Sequence, residues 1–431
     1  MIVRKSLLLV LLLVFGAAQA QQSPQAIKGG MNDTERARFD GLRKSGFDAL
    51  YNLDYETAQS AFKEIERLFP DHPAGPQFQA ALLWARVLNE SRRLQSSLYG
   101  SDEFYEGSED KVDARIVDEF RDYTRRARLL AEARLKRDPK DVEALYFLGS
   151  TEGLKAAFAA GIQRSFMSAL RDGQRSVERH RDVVKLDPSF LDAELTIGLY
   201  DYVVGSLPLP VKLVASLTGA RGSRKRGLET LARVANEGRW ARDDARALLI
   251  VLYKRERRYP DALKLARELG EKYQRNYLFK LEAADALSSQ AAMERAAGKS
   301  TEAANLEQEA FSIFDSILRE KPQRGSALSR AQDQIHFQYG ETLMYSGQYD
   351  RAAKEFMAAA TTAGAEAGIV TQSYLRAAQN FDLAGRRNEA LAQYRIVINR
   401  PDIYDSQEEA RRGLREPYKL RQETKAATRE E

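Results

Sequence analysis

The stretch Asp138-Pro139-Lys140-Asp141-Val142-Glu143-Ala144-Leu145-Tyr146-Phe147-Leu148-Gly149 has an echo 49 residues on, Asp187-Pro188-Ser189-Phe190-Leu191-Asp192-Ala193-Glu194-Leu195-Thr196-Ile197-Gly198. In both, a glycine within an apolar run stands ten residues beyond an Asp-Pro pair. Proline cannot continue a helix, so each pair ends one helix and another restarts after it. A small residue in mid-helix lets a neighbouring helix come close. Stop, restart and close contact at a fixed period mark a helical repeat. Outward from these two stretches almost everything from about residue 34 has helical period. Alternation of valine, isoleucine and threonine is absent, so the expected class is all-α, without a sheet.

A finer register recurs elsewhere. Gly46 is followed by Tyr55, Ala58, Phe62, Ile65 and Pro70. Towards the C-terminus come Tyr339, Gly340, Gly347, Tyr349, Ala352, Phe356 and Ala359, then Tyr374, Ala377, Ala378, Phe381, Gly385, Ala390, Tyr394, Val397 and Pro401. A fourth set is Tyr253, Tyr259, Ala262, Ala266 and Leu269; a fifth shows only a second helix, Ala310, Phe314, Ile317 and Pro322. Positions i, i+4 and i+7 share one helix face. The small residue permits close approach and the aromatic fills the gap. This register resembles the tetratricopeptide repeat, a helix–turn–helix of 34 residues, over most of the chain. The expected fold is therefore a right-handed, tetratricopeptide-like solenoid over residues 34–418. The centre departs from that length: Gly149, Gly198 and Ile250 lie 49 and 52 residues apart. Shared between two helices, the surplus predicts that each gains about 11 Å, which makes residues 74–240 a run of long repeats. Residues 97–110 read as a surface loop and 419–431 as a disordered tail.

Residues 203–226 interrupt the pattern. Val203 to Gly205 end a helix; Pro208 and Pro210 break it; Val211 to Leu217 read as a short apolar helix; Gly219 to Arg226 form a glycine–basic turn. With Gly198, Tyr202, Ser206, Leu207, Pro208, Gly219, Gly222, Arg224, Gly227 and Leu228, the segment resembles the inclusion-body-clearance group, the tetratricopeptide-repeat-protein-39 family. That resemblance spans roughly residues 140–400 and is specific only in this segment. It implies a non-enzymatic repeat scaffold with links to protein inclusions and lipid stores.

The first 20 residues carry Arg4 and Lys5, an unbroken apolar run from Leu7 to Phe15, and Ala18-Gln19-Ala20. This reads as a secretory signal peptide, the run being shorter than the roughly 20 residues that span a bilayer. Residues 21–33 read as a flexible leader. The expectation is an exported protein of the periplasm or cell envelope, or a secreted one. With no cysteine anywhere, disulfides, thiolate catalysis, cysteine-bound zinc and lipid attachment at a cysteine are excluded. Losing Arg4 and Lys5 takes the formal net charge from +5 to +3. The remaining charges are dispersed, which suits solvated helix faces and not nucleic-acid binding.

Catalytic patterns are missing. No nucleophile elbow, phosphate-cradling loop or dinucleotide fingerprint occurs. His72, His180 and His336 fall in different repeats, with no ligand spacing that suits a metal. His72, beside Pro73, reads as solvated; His180 takes the aromatic slot of a second helix and reads as a packing residue. Asn32 and Asn89 head Asn-x-Ser/Thr patterns that matter only on a eukaryotic secretory route. No cofactor is expected.

The leading functional reading is a non-catalytic scaffold that binds a protein or peptide in a concave groove. In the tetratricopeptide family the first helix of each repeat lines that groove. The resemblance thus implies Arg43, Phe47, Leu50 and Tyr51 in the first repeat, Phe337, Glu341, Met344 and Tyr345 in a later one, and Gln372, Leu375, Gln379 and Asp382 in the next. Packing against the chain's own helices or termini is the competing role for each. The second reading is an adaptor in peripheral membrane contact, docked through Tyr202, Leu207, Pro208, Leu209, Leu213, Arg224 and Arg226. The third is a hydrolase with dispersed acids.

Overall fold

The computed structural model describes residues 31–91, 112–163, 165–207, 212, 221–323, 325–403 and 405–420. Among these are eighteen α-helices and no strand. In chain order they are α1 (Asp33–Tyr51), α2 (Tyr55–Leu68), α3 (Ala74–Glu90), α4 (Ala114–Arg137), α5 (Val142–Gly161) and α6 (Phe166–Leu186). Then come α7 (Glu194–Gly205), α8 (Arg224–Glu237), α9 (Arg242–Arg255), α10 (Tyr259–Lys272), α11 (Tyr277–Ala296) and α12 (Ser300–Arg319). The last are α13 (Ala327–Arg330), α14 (Gln332–Tyr345), α15 (Tyr349–Thr361), α16 (Ala367–Leu383), α17 (Arg387–Val397) and α18 (Ser406–Arg415). The signal segment, most of the leader, the 97–110 loop, the helix expected at 211–217 and residues 421–431 lie outside the described residues.

Local chemistry sets the helix ends. Asn32, the first sequon residue, is the N-cap of α1 and forms a capping box with Glu35, each side chain meeting the other's backbone N–H at 2.9 Å. Asp138 closes α4 just before Pro139, and Asp141 opens α5 by accepting from Ala144 N at 2.9 Å. The opening motif is thus a helix stop and a helix start three residues apart.

Consecutive helices pack on each other from α1 through α10 and again from α14 through α18, and the small-residue register explains how closely. A Cβ at Gly46 would lie 2.3 Å from the Phe62 ring, and one at Gly340 2.8 Å from Phe356. At Gly149 it would lie 2.8 Å from His180, so that histidine packs where the other hairpins place phenylalanine.

Helix lengths refine the expected thickening. α4, α5 and α6 run to 24, 20 and 21 residues, which accounts for the 49-residue spacing. α7 and α8 have only 12 and 14 residues. The 52-residue spacing comes instead from the segment between them. α11 and α12, at 20 residues each, are also long, a second thickening that the register near the C-terminus did not reveal.

The chain forms two compact units, one through Ala286 and one from Leu287. In the first, most residues of α3, α5 and α9 are buried, so these helices form its interior. Their core is a relay of rings: Phe47 on Phe78 at 4.9 Å, Phe78 on Phe147 at 5.8 Å, Tyr146 on Trp240 at 5.5 Å and Phe190 on Trp240 at 5.4 Å. In the second unit Phe314 stacks on Tyr339 at 4.8 Å, and Ala352, Ala377, Ala378 and Ala390 let the hairpins close up.

Candidate functional site

In the first unit the expected groove is filled by the chain itself. Phe47 is 1% exposed and packs edge-on to Phe78. Leu50, three residues on, is buried as well. Arg43 is buried with its guanidinium 5.0 Å from the Trp240 ring; burial lowers its pKa to about 10 against the pull of Asp40. The hydroxyl of Tyr51 donates to Asp244, 193 residues away along the chain. Asn276 donates to the Tyr51 carbonyl at 2.7 Å, Arg275 N to Asn52 at 3.2 Å, and the Arg275 guanidinium to Asp54 at 3.0 Å. Arg239 pairs with Asp40 at 2.9 Å. Arg43, Phe47 and Tyr51 therefore do not line an open groove. α1 lies against the α8–α9 turn and the α9–α10 hairpin, and the stack closes on itself.

Two buried clusters hold this unit together, the first of them at the closure. In one, Asp243 and Asp244 each hold a tyrosine: Tyr273 donates to Asp243 at 2.5 Å, and Tyr51 to Asp244. Burial and then the neighbouring aspartates raise both phenols. Asp192 accepts from the backbone N–H groups of Trp240 and Ala241 at 2.7 and 2.8 Å, which seats the tryptophan under Arg43.

In the other cluster Glu143 has no exposed side-chain surface. Arg36 reaches it at 2.9 Å, Arg134 at 3.1 Å and His72 Nε2 at 3.2 Å. Burial alone would raise this carboxyl, but His72 and Arg36 hold it well below the usual range. His72 is correspondingly not solvated: its ring lies 4.8 Å from Phe39 and 5.2 Å from Phe147, and Nδ1 accepts from Ala74 N at 3.2 Å. Sequence reasoning missed Glu143, Asp243 and Asp244; the one local signal is at Glu143, an acid between Val142 and the apolar run that starts at Ala144.

In the second unit the two expected sets fare differently. Gln372 donates to the Ile403 carbonyl at 2.7 Å, and buried Gln379 to Glu409 at 2.9 Å. The Asp382 carboxylate accepts from Arg387 at 2.9 Å, Tyr394 at 3.0 Å and Tyr418 N at 2.8 Å. Leu375 is buried. α18 and the segments on either side of it take up polar positions that would have met a partner. A Cβ at Gly413 would lie 2.3 Å from the Tyr394 ring, so α18 seats as one more repeat helix. Met344 is buried as well. On α14, Phe337 and Glu341 are half-buried, with Phe337 5.3 Å from Phe356. Tyr345, on the same face, is 79% exposed, the most exposed large apolar side chain described.

At the base of the insertion, Tyr202 is buried and donates to Glu256 at 2.8 Å. Leu207 is half-buried. Arg226 pairs with Asp201, its Nη2 at 2.8 Å, and Arg224 with Glu256 at 3.5 Å. Pro208, Leu209 and Leu213 lie outside the described residues. The glycines here have a packing cause. A Cβ at Gly227 would meet Tyr202 N at 2.5 Å, and one at Gly205 would meet Arg224 N at 2.4 Å. Backbone crosses backbone, and the two ends of the insertion are pinned together.

Among the described residues no group of three or more histidines, aspartates or glutamates is placed to hold a metal ion. No described helix is long and apolar enough to cross a membrane. The buried acids Glu143, Asp192, Asp243 and Asp244 are enclosed and already hydrogen-bonded, as structural charges are.

The class that this geometry defines is a helical-repeat protein whose hairpins keep a tetratricopeptide-like register. No protein-family model matches the chain, and no curated protein matches it either. Among solved structures it is similar to the human IFIT1 dimer with PPP-AAAA, at 13% identity and a TM-score of 0.40, covering 90% of this chain and 86% of that one. A tetratricopeptide repeat protein from Parabacteroides merdae is similar at 13% identity and a TM-score of 0.30, covering 79% of this chain and 99% of that one.

Proposed function

We infer that the chain is a non-catalytic scaffold that holds a protein or peptide partner on the α14 face of the second unit. The observation that carries this reading is Tyr345. It is a large aromatic side chain left open to water, one helical turn beyond Glu341 and two beyond Phe337. Aromatic anchors beside polar groups are what protein interfaces favour. The other expected groove positions are taken by the chain's own helices, which narrows the reading to this face. A photo-crosslinking residue at Tyr345 tests it in cells that make the protein. The same species should be captured from Phe337 and Tyr345, and none from Leu129, which is exposed on α4 in the first unit. Capture from all three alike would sink the reading.

Export to the cell envelope remains the location that residues 1–20 support, and the kinship with the inclusion-body-clearance group rests on the glycine-rich segment quoted above. A second reading, an adaptor docked on lipid through residues 202–226, is supported by the pinned neck. A loop whose ends are fixed can present an apolar stretch as one unit. Flotation of the mature chain with anionic liposomes separates the two readings: co-flotation favours the adaptor, and its absence favours the scaffold alone.

A further inference from the structure

Helix α6 carries charge in an order that the fold does not use. Its inner side, with Ala169, Ser176, Val177, His180 and Val183, is buried. Its outer side holds Arg171, Arg175 and Arg179, all exposed and each four residues from the next. Leu186, seven residues past Arg179, falls on the same side. Like charges at this spacing are neighbours on a helix surface and weaken the helix. On other helices of this unit the exposed arginines stand one turn from an acid. Arg67 pairs with Glu64 at 2.7 Å, Arg121 with Asp118 at 3.3 Å and Arg125 with Asp122 at 2.5 Å. Within the row on α6 only Arg175 is met in this way, by Asp172 at 3.5 Å. Arg171 and Arg179 have no carboxylate partner among the described residues. Two leucines accompany the row: Leu170, beside Arg171 in the chain, is 48% exposed, and Leu186 is 40% exposed. The row thus works against the helix that carries it, and its use lies outside the fold.

We propose that the outer side of α6 is a docking strip for the phosphate headgroups of an anionic bilayer. Arg171, Arg175 and Arg179 make the contacts, and Leu170 and Leu186 dip among the lipids. A guanidinium matches a phosphate through two parallel N–H bonds. A nucleic-acid backbone would satisfy the arginines and leave the leucines in water, whereas a bilayer interface takes both. With 21 residues, α6 lays this strip along about 30 Å of one straight element. The strip is separate from α14 and from residues 202–226, so it rests on neither reading of the function given above.

Flotation of the mature chain tests this with two kinds of vesicle, phosphatidylglycerol mixed with phosphatidylcholine, and phosphatidylcholine alone. The parent should float with the first and not with the second, and added salt should release it. Arg171→Gln/Arg175→Gln/Arg179→Gln should weaken partition roughly a hundredfold, at about fivefold per arginine. Arg67→Gln/Arg86→Gln/Arg115→Gln removes the same charge from three scattered exposed sites, and should leave partition within about threefold. The α6 variant should melt no lower than the parent, because the repulsion along the row is gone, and this excludes unfolding as the cause. Leu209→Ser/Leu213→Ser separates the strip from the insertion. Partition kept in that variant and lost in the α6 variant supports the strip and counts against docking through residues 202–226; the reverse pattern overturns the strip. Equal loss in the two arginine variants overturns it as well, as does flotation with phosphatidylcholine alone or with neither vesicle. Binding of a single-stranded DNA oligonucleotide that depends on the row, without flotation, would assign the arginines to nucleic acid and overturn the lipid contact.

Discussion

The ring of Tyr51 stacks on that of Tyr273 at 4.8 Å, and the two hydroxyls go to adjacent carboxylates, Asp244 and Asp243. Tyr51 ends the first described helix, and Tyr273 follows the tenth. This one contact turns a row of hairpins into a closed body, and moves the search for a partner face into the second unit.

Glu143 joins α1, α4 and α5 to the turn before α3 through Arg36, Arg134 and His72. Removing the charge leaves two guanidinium groups facing a dry site. Glu143→Gln should cost about 3–5 kcal/mol in a denaturant melt at neutral pH. The sign with pH follows from its depressed pKa. The stabilisation is full above the ordinary carboxyl value of 4.5 and is lost as pH falls below it. The variant should lose less stability than the parent in that acid range.

His180 acts in a different window. Burial lowers its pKa from 6.5 to about 4. Between those values the unfolded chain binds the proton and the folded chain does not. Stability should therefore be full above pH 6.5 and decline as pH falls towards 4, by roughly 3 kcal/mol at most. His180→Phe should remove this slope and keep the fold, because Phe62 and Phe356 fill the same slot against Gly46 and Gly340. A slope unchanged in the variant would assign it to another group.

The crossing of α7 and α8 leaves no room for a methyl group at Gly227. Gly227→Ala should destabilise by about 1–3 kcal/mol. Gly173, also in a helix, would meet only the Ala156 methyl at 3.9 Å. Gly173→Ala should be neutral or stabilise by up to about 1 kcal/mol. The pair, compared by thermal melts, separates backbone crowding from a general intolerance of alanine.

Tyr345 should behave as a surface residue in the free protein. Tyr345→Ala should change stability by no more than about 0.5 kcal/mol, while capture of the partner by the crosslinker at Phe337 falls sharply. A large stability loss would place Tyr345 in the fold instead.

The local devices were legible in the sequence. Asp138 and Asp141 announce the stop and start that flank Pro139, and Gly46, Gly340 and Phe356 announce the hairpin packing, because each acts within one or two helices of itself. The closure was not legible. Tyr51 and Asp244 are 193 residues apart, and their meeting depends on the sum of small rotations along five hairpins. His72 reads as solvated beside Pro73 because the acid that buries it, Glu143, lies 71 residues on in another hairpin. The groove positions on α16 were placed on the correct helix. Which of their two roles they take was not legible, because α18 carries too little apolar sequence to announce that it caps the stack.

The central claim, that the first unit closes through its first hairpin, is tested most directly by a double-mutant cycle on Tyr51→Phe and Asp244→Asn, measured by chemical denaturation. The closed structure predicts a coupling of about 1–3 kcal/mol, since either change alone removes the same buried hydrogen bond. Two effects that add to within about 0.5 kcal/mol would mean that the residues do not meet, and would contradict the closure.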